Sequence, residues 1–429
     1  MVDTRSTQPA ADLLSFVDAS PSPYHCVAEA VRRLDLAGFT ASNWTGDFEP
    51  SGAGYVAIGG ALIAWKAPAG GPGSPVRIIG AHTDSPNLRI KPRPDHSSAG
   101  FRQLLVEPYG GLLQNSWLDR DLGLSGRVVV RDATGGTETR LFRDDRPLLR
   151  VPQLAIHLDR DVNNGLKLNP AVHLTPVWGL GDDRGVEFRQ WLAAQVDARA
   201  ADVMGWDVMC DDTLPGGFLG DDEELISAPR LDNQASCFGA IETLVRLQHD
   251  DAPRDHGVIV ALFDHEEVGS QSSTGAGGAL LGQVISRLNA AWGGTDADLV
   301  ATLAGSHCLS ADMAHGTHPN YPERHDVGAP IRLGGGPVVK SNVNQRYATD
   351  GPSAADFRLA AERAGVPTQT YSHRNDLTCG STIGPMTAAG LGVATVDVGM
   401  AMLSMHSIRE LMATADVAHM IDSFAEWCR

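Results

Sequence analysis

Apolar positions along the chain fall into two textures. The first is made of short, unbroken apolar runs alternating with longer, helix-spaced ones. VRIIG (Val76 to Gly80) reads as a short buried strand that turns away at AHTDSPN. HGVIVALFD (His256 to Asp264) and VATVDVGM (Val393 to Met400) read the same way. Leu231 to Gln248 carries Phe238, Ile241, Leu244, Val245 and Leu247 at helical spacing, with Asp232 or Asn233 as its cap. Arg409 to Trp427 carries a second helical stripe of Leu411, Met412, Ala415, Met420, Ile421 and Phe424. Buried strands alternating with helices predict an α/β fold, an open mixed sheet covered by helices on both faces. The second texture lies between. KPRPDHSSAG, from Lys91, is Pro-rich and predicts a break in regular structure, and RVVVR and TRLFR flank DATGGTE as a hairpin with a glycine turn. Hairpin-like texture and polar loops continue to about Ser227. The expected architecture is a discontinuous α/β domain, 1–91 and 229–429, with a smaller β-rich domain, 92–228, inserted.

Charge narrows the possible partners. Fifty-two acids against 34 bases give a formal net charge of -18, the wrong sign for nucleic acid or an anionic membrane surface. Of the 429 residues, 42% are hydrophobic, enough for a sizeable core. The six cysteines include no C-x-x-C pair, so they read as reduced thiols of a cytoplasmic protein. No apolar run approaches the ~18 residues of a membrane span, and the N-terminus lacks a basic-then-apolar signal pattern.

Metal-ligand residue types cluster just beyond the apolar runs. His82 and Asp84 follow VRIIGA, Glu266 and Glu267 follow VIVALFDH, Asp312 follows HCLSA, and His406 follows VATVDVGMAMLSM. Asp232 precedes a predicted helix. Ligands of open α/β sheets bind at the carboxyl ends of strands, so these groups can converge there. Two divalent ions against the carboxylates of Asp232, Glu267 and Asp312, with His82 and His406 neutral, leave one positive charge, which a hydroxide would balance. Mixed nitrogen and oxygen donors suit zinc, with manganese or cobalt as substitutes. Glu266, beside a ligand without being needed as one, is the natural general base. Asp84 is placed to orient the His82 imidazole. Each residue alone has a blander reading: a lone histidine near a strand end is usually a satisfied one, a Glu-Glu pair usually solvated, an Asp before a helix usually a cap.

Together, AHTDSP, SAPRLDN, FDHEEVGS, SADMAHGTHPNY, VVKSNVNQRYAT and MHSIRE resemble the aspartyl aminopeptidase family of dizinc exopeptidases, from about residue 12 to the C-terminus. The resemblance implies a zinc exopeptidase-like fold. It implies that His82 and Asp312 hold one zinc, Glu267 and His406 the other, and that Asp232 bridges them. It makes Glu266 the proton shuttle and Asp84 its supporting acid. His315, Lys340 and Tyr347 match substrate-contacting positions, and His157 matches a histidine that reaches a neighbouring subunit's site. It further implies a tetrahedral dodecamer assembled partly through the inserted domain. The expected reaction is removal of N-terminal residues, preferably Asp or Glu, from peptides with a free N-terminus. Two rivals stand beside it: a dizinc amidase or deacylase acting on blocked amides, and an assembly protein whose metal site is idle. His265 receives no role, and a His307–Cys308 metal pair is rejected for want of further ligands.

Overall fold

The computed structural model describes residues 7–181, 187–250, 252 and 254–429, and within it the chain forms two compact units. The first runs up to Asp84, then over Gly216–Met405 and Glu410–Arg429; the second is Ser85–Pro215 with His406–Arg409. The first six residues lie outside the described ones, as do the expectations placed on them.

The first unit is built on a nine-stranded mixed sheet among the described residues. Its centre is parallel: Gly257–Phe263, Val76–His82, His307–Ala311 and Ala394–Gly399 lie side by side in that order. Ala61–Lys66 runs antiparallel beyond Gly257–Phe263, and Val338–Ser341 antiparallel beyond Ala394–Gly399. Gln369–Ser372 then lies parallel to Val338–Ser341 at the edge. Side chains alternate across the sheet, as strand geometry requires. Leu62, Ile79, Val260, Leu309 and Val396 face a core shared with the helices Gln8–Ala19, Leu231–Gln248 and Thr414–Trp427. Ile63, Ile78, Ile259 and Cys308 face the opposite core with the helices Leu280–Ala291 and Ile383–Leu391. Both faces are covered, which is why these strands read as unbroken apolar runs.

Among its described residues the second unit carries a six-stranded antiparallel sheet in the order Thr137–Leu149, Leu122–Arg131, Val203–Asp212, Asn87–Ser98, Phe101–Tyr109 and Val177–Leu180. The expected hairpin is there, closed by the pair Arg131 and Thr137. The short helix Phe188–Gln195 packs Phe188 and Leu192 into the core with Leu88, Leu104, Val128 and Val208.

Several sequence expectations are corrected. The Pro-rich segment from Lys91 is not a break but part of the long strand Asn87–Ser98. Its pairing register shifts between Ile90 and Asp95, so Pro92 and Pro94 fall where ladder hydrogen bonds are already interrupted. The last helix begins at Thr414, not Arg409, because Glu410–Ala413 is a strand paired with Leu225–Ala228 and Ala401–Leu403. Neither Asp232 nor Asn233 caps the helix it opens; both are non-helical, the Asp232–Asn233 peptide is cis, and Arg230 stands at the cap with φ 57°. The compact units divide at Ser85 and Pro215, near the expected boundaries of 92 and 228. Asn87–Ser98 joins the second unit's sheet from its start, while Gly217–Leu219 and Leu225–Ala228 join a five-stranded sheet of the first unit.

Candidate metal centre

The carboxyl ends of the central strands deliver the site. His82 is the last residue of Val76–His82, and Asp312 follows directly on His307–Ala311. Glu266 and Glu267 open a single 3-10 turn, Glu266–Val268, just past Gly257–Phe263, entered through His265 at φ 65°. Asp232 comes from the non-helical entry to Leu231–Gln248. Its N–H donates to Glu410 Oε2 at 2.9 Å, and the neighbouring Asn233 Nδ2 donates to Ala311 O at 2.8 Å. The backbone before the helix is thus pinned beside Asp312.

His82 stands at the middle. It is buried, and its Nδ1 lies 3.0 Å from the Asp84 carbonyl oxygen and 3.4 Å from Asp84 Oδ1. That arrangement keeps a proton on Nδ1 and turns Nε2 towards the acids. Nε2 lies 3.5 Å from Asp232 Oδ1, 3.7 Å from Asp312 Oδ1 and 3.9 Å from Glu266 Oε2. Burial alone would depress the imidazole. Hydrogen bonds to Asp232, Asp312 and Asp84, with Glu266 behind them, overcome it and raise the His82 pKa well above its ordinary value. Glu266 is pushed up to about 7, first by burial; Asp312, Asp232 and Asp84 add to that and His82 opposes it.

These acids therefore demand a cation: a proton on His82, or a metal in its place. The donor atoms of His82, Asp232 and Asp312 all lie within 4.8 Å of one another, as do those of His82, Glu266 and Glu267. One imidazole nitrogen among carboxylate oxygens is a zinc-type donor set, so the residues present fit the metal expected from the sequence.

Asp84 does more than orient a histidine. It is fully buried; Oδ1 accepts the Glu266 N–H at 3.0 Å and Oδ2 the Glu267 N–H at 3.1 Å. Lys340 is only 2% exposed, and its Nζ donates to the carbonyls of Asp312 at 2.7 Å and Met313 at 3.2 Å, with Asp312 Oδ2 at 3.6 Å. It sits 5.2 Å from the centre of the Tyr347 ring. Tyr347 is buried and hydrogen-bonds Cys379; burial first and that thiol second raise its phenol far above the ordinary value. His315 lies at the exposed rim, 6.2 Å ring to ring from Tyr371. Although the residue is solvent-exposed, desolvation by the surrounding protein and then the Lys340 ammonium push its imidazole down to about 4, so it is neutral at physiological pH.

Two predicted residues lie in the second unit. His406 belongs to the segment His406–Arg409, with φ 67° and Nδ1 3.1 Å from Gly111 O. That contact places the proton on Nδ1 and the lone pair on Nε2, the tautomer of a metal-binding histidine. His157 is exposed in a stretch that also exposes Leu154, Ile156 and Leu158. His307 instead faces Asp356, Nδ1 to Oδ2 3.7 Å, while Cys308 is buried in the core. Sequence reasoning missed Glu410, whose carboxylate holds the Asp232 backbone, and Asp397, a buried acid within VATVDVGM. A lone carboxylate inside an otherwise apolar strand was the available signal for the second.

Comparison with known proteins shows the family. The family model described as Aminopeptidase I zinc metalloprotease (M18) matches residues 16–427. An M18 family aminopeptidase 2 of Streptomyces avermitilis is 53% identical over 409 residues, covering 94% of this chain and 94% of its own. A solved structure of an Ape4 and Nbr1 complex contains a chain that superposes with TM-score 0.93 at 34% identity, covering 98% of this chain and 85% of that one. The S. cerevesiae mApe1 dodecamer gives TM-score 0.85 at 27% identity, covering 98% and 96%. The chain belongs to the M18 family: it is a zinc metallo-aminopeptidase, a hydrolase of N-terminal peptide bonds.

Proposed function

We propose that the protein is a two-zinc aminopeptidase that prefers peptides beginning with Asp or Glu. The observation that carries this is the convergence of His82 with Asp232, Asp312 and Glu266 at the strand ends, three acids within 4 Å of one imidazole nitrogen. In this reading His82 and Asp312 hold one ion, Glu267 and His406 the other, and Asp232 bridges. Two bound zinc ions would polarise the scissile carbonyl and bring the acidity of water near neutrality. Glu266 accepts the proton of the attacking water at its carboxylate and passes it to the nitrogen of the leaving amine. Asp84 holds its backbone in place for that exchange.

The acidic preference needs a local cation, since a protein of net charge -18 does not attract anions from a distance. Lys340 supplies the charge, with Tyr347 and the neutral His315 beside it as hydrogen-bonding groups. Likeness to the mApe1 dodecamer supports a dodecamer here, in which His157 completes a neighbour's site. Six free thiols, five of them buried, fit a cytoplasmic protein; among the described residues no helix is long and apolar enough to cross a membrane.

The test is release of the first residue from matched Asp-, Glu-, Leu- and Ala-initiated peptides, before and after chelation and with zinc, manganese or cobalt restored. Metal-dependent release with Asp and Glu ahead of Leu and Ala is expected. Preference for Leu removes the acidic specificity, and cleavage of N-acylated but not free peptides favours a deacylase. Light scattering should give about twelve times the chain mass of 45.5 kDa; a fully active monomer rejects the dodecamer.

A further inference from the structure

Asp397 is a charge buried where the sequence looks least polar. It is the one charged residue of the strand Ala394–Gly399, between Val396 and Val398, and it is fully buried. Its carboxylate is engaged by groups from several elements. Oδ2 accepts the Ala348 N–H at 2.6 Å, and Oδ1 accepts the Thr382 hydroxyl at 2.5 Å. The Asp397 N–H donates to Thr349 Oγ1 at 2.8 Å. Across the sheet its antiparallel register partner is Lys340. Even Gly384 is explained here, because a Cβ at that position would overlap the Asp397 carboxylate.

These partners are not scattered. Ala348 follows Tyr347 directly, and Lys340 lies over the Tyr347 ring. Thr382 caps the helix Ile383–Leu391, its hydroxyl accepting the Gly384 N–H at 3.3 Å. One carboxylate thus ties the Tyr347 loop, the Thr382 cap and the strand beside Lys340 to the centre of the sheet. Burial raises the proton affinity of Asp397; Lys340, Ser310, Thr382 and Ala348 oppose that, in this order. An apolar residue in such a strand would avoid the desolvation cost, so the carboxylate is better explained by the geometry it imposes.

We propose that Asp397 is a positioning residue for the substrate side of the site, fixing the Tyr347–Ala348 backbone and hence where the Tyr347 side chain meets the substrate. The inference rests on the reading above that Tyr347 contacts substrate.

The test uses the full-length zinc enzyme. Asp397→Asn replaces one acceptor with a donor that faces existing donors. Thr382→Val removes one anchoring hydroxyl and remains informative if Asp397→Asn does not fold, while Thr382→Ser keeps the hydroxyl. Asp397→Asn should retain its zinc and lose roughly 10- to 100-fold in kcat, in keeping with small misplacements of catalytic groups. Thr382→Val should lose less, in the same direction, and Thr382→Ser should recover wild-type kcat. The deciding measurement is coupling: in a Tyr347→Phe background, Asp397→Asn or Thr382→Val should slow the enzyme by less than about threefold further, since neighbouring residues acting through one another are non-additive. Losses that multiply in the double variants overturn the positioning role. Tyr347→Phe at full wild-type rate removes the substrate contact itself, and the inference with it, a result distinguishable from the first.

Discussion

The Asp84 carboxylate accepts the backbone N–H of Glu266 at 3.0 Å, and its second oxygen accepts that of Glu267 at 3.1 Å. A side chain beside the His82 imidazole therefore also holds the turn carrying Glu266, the general base of the proposed mechanism. Losing it disturbs both at once. Asp84→Asn keeps the shape but leaves an amide N–H₂ facing one of these two donors. Buried donors without acceptors cost ~1–3 kcal/mol each. The expected outcome is a lower melting temperature together with a fall in kcat of about 10²-fold or more, measured on enzyme whose zinc has been verified. A variant with wild-type kcat and melting temperature would mean that the pair of backbone contacts has no functional weight.

Glu266→Gln separates chemistry from binding. It should keep its metal and lose about 10²–10⁴-fold in turnover, the usual contribution of a general base. Zinc by elemental analysis and kcat on an Asp-initiated peptide decide this; near wild-type turnover would place the base elsewhere.

The same substitution reads out the electrostatics of the metal-free protein. Glu266 is pushed up to about 7 in the fold against 4.5 as its ordinary value. The folded state therefore holds this proton more tightly than the unfolded chain. Its stabilising contribution is complete below about pH 4.5 and is lost as pH rises through 7. Glutamine carries no charge to desolvate, so chelated Glu266→Gln should be more stable than chelated wild type at pH 8, by on the order of 1–3 kcal/mol, and about equal to it near pH 4.5. Thermal unfolding across that range checks it; a gap that shrinks with rising pH contradicts the assignment.

Asp232→Ala should cost more zinc than replacement of His82 or Glu267, because in the proposed reading Asp232 serves both ions. Two full equivalents retained by elemental analysis would end the bridging role.

Lys340→Met addresses specificity. A charge-assisted hydrogen bond is worth about 1.5–3 kcal/mol, roughly 10- to 150-fold, so the kcat/KM advantage of Asp and Glu over Leu and Ala should shrink by that factor. The carbonyls of Asp312 and Met313 lose their Nζ donor in the same variant, so its melting temperature should fall as well. A lower melting temperature with an unchanged ratio would leave Lys340 as framework alone.

Much of the first unit could be read from residue order. The strands Gly257–Phe263 and Ala394–Gly399 and the helix Leu231–Gln248 follow from apolar runs and helical spacing, because both sheet faces are covered. Ligand types just past those runs marked the centre because strand ends converge in such sheets. What stayed illegible depends on contacts distant in sequence. Glu410 holds the backbone of Asp232 from 178 positions away, and Asp84 holds a turn 182 and 183 positions away. Glu410–Ala413 carries apolar residues that also fit a helical stripe, and only its pairing with Leu225–Ala228 makes it a strand. The prolines of KPRP hid a strand because the register shift that accommodates them is set by the partner strand.

The strand order has a consequence for synthesis of the chain. Val76–His82 ends up between Gly257–Phe263 and His307–Ala311, so both of its neighbours emerge long after it does. At about 5–20 residues per second, some 10–50 s separate translation of His82 from that of Ala311. Over that interval a strand apolar on both faces keeps at least one open edge, and two until Phe263 is made, a template for pairing with other chains. The nascent protein is therefore most exposed to aggregation, and most dependent on chaperones, before its last third leaves the ribosome.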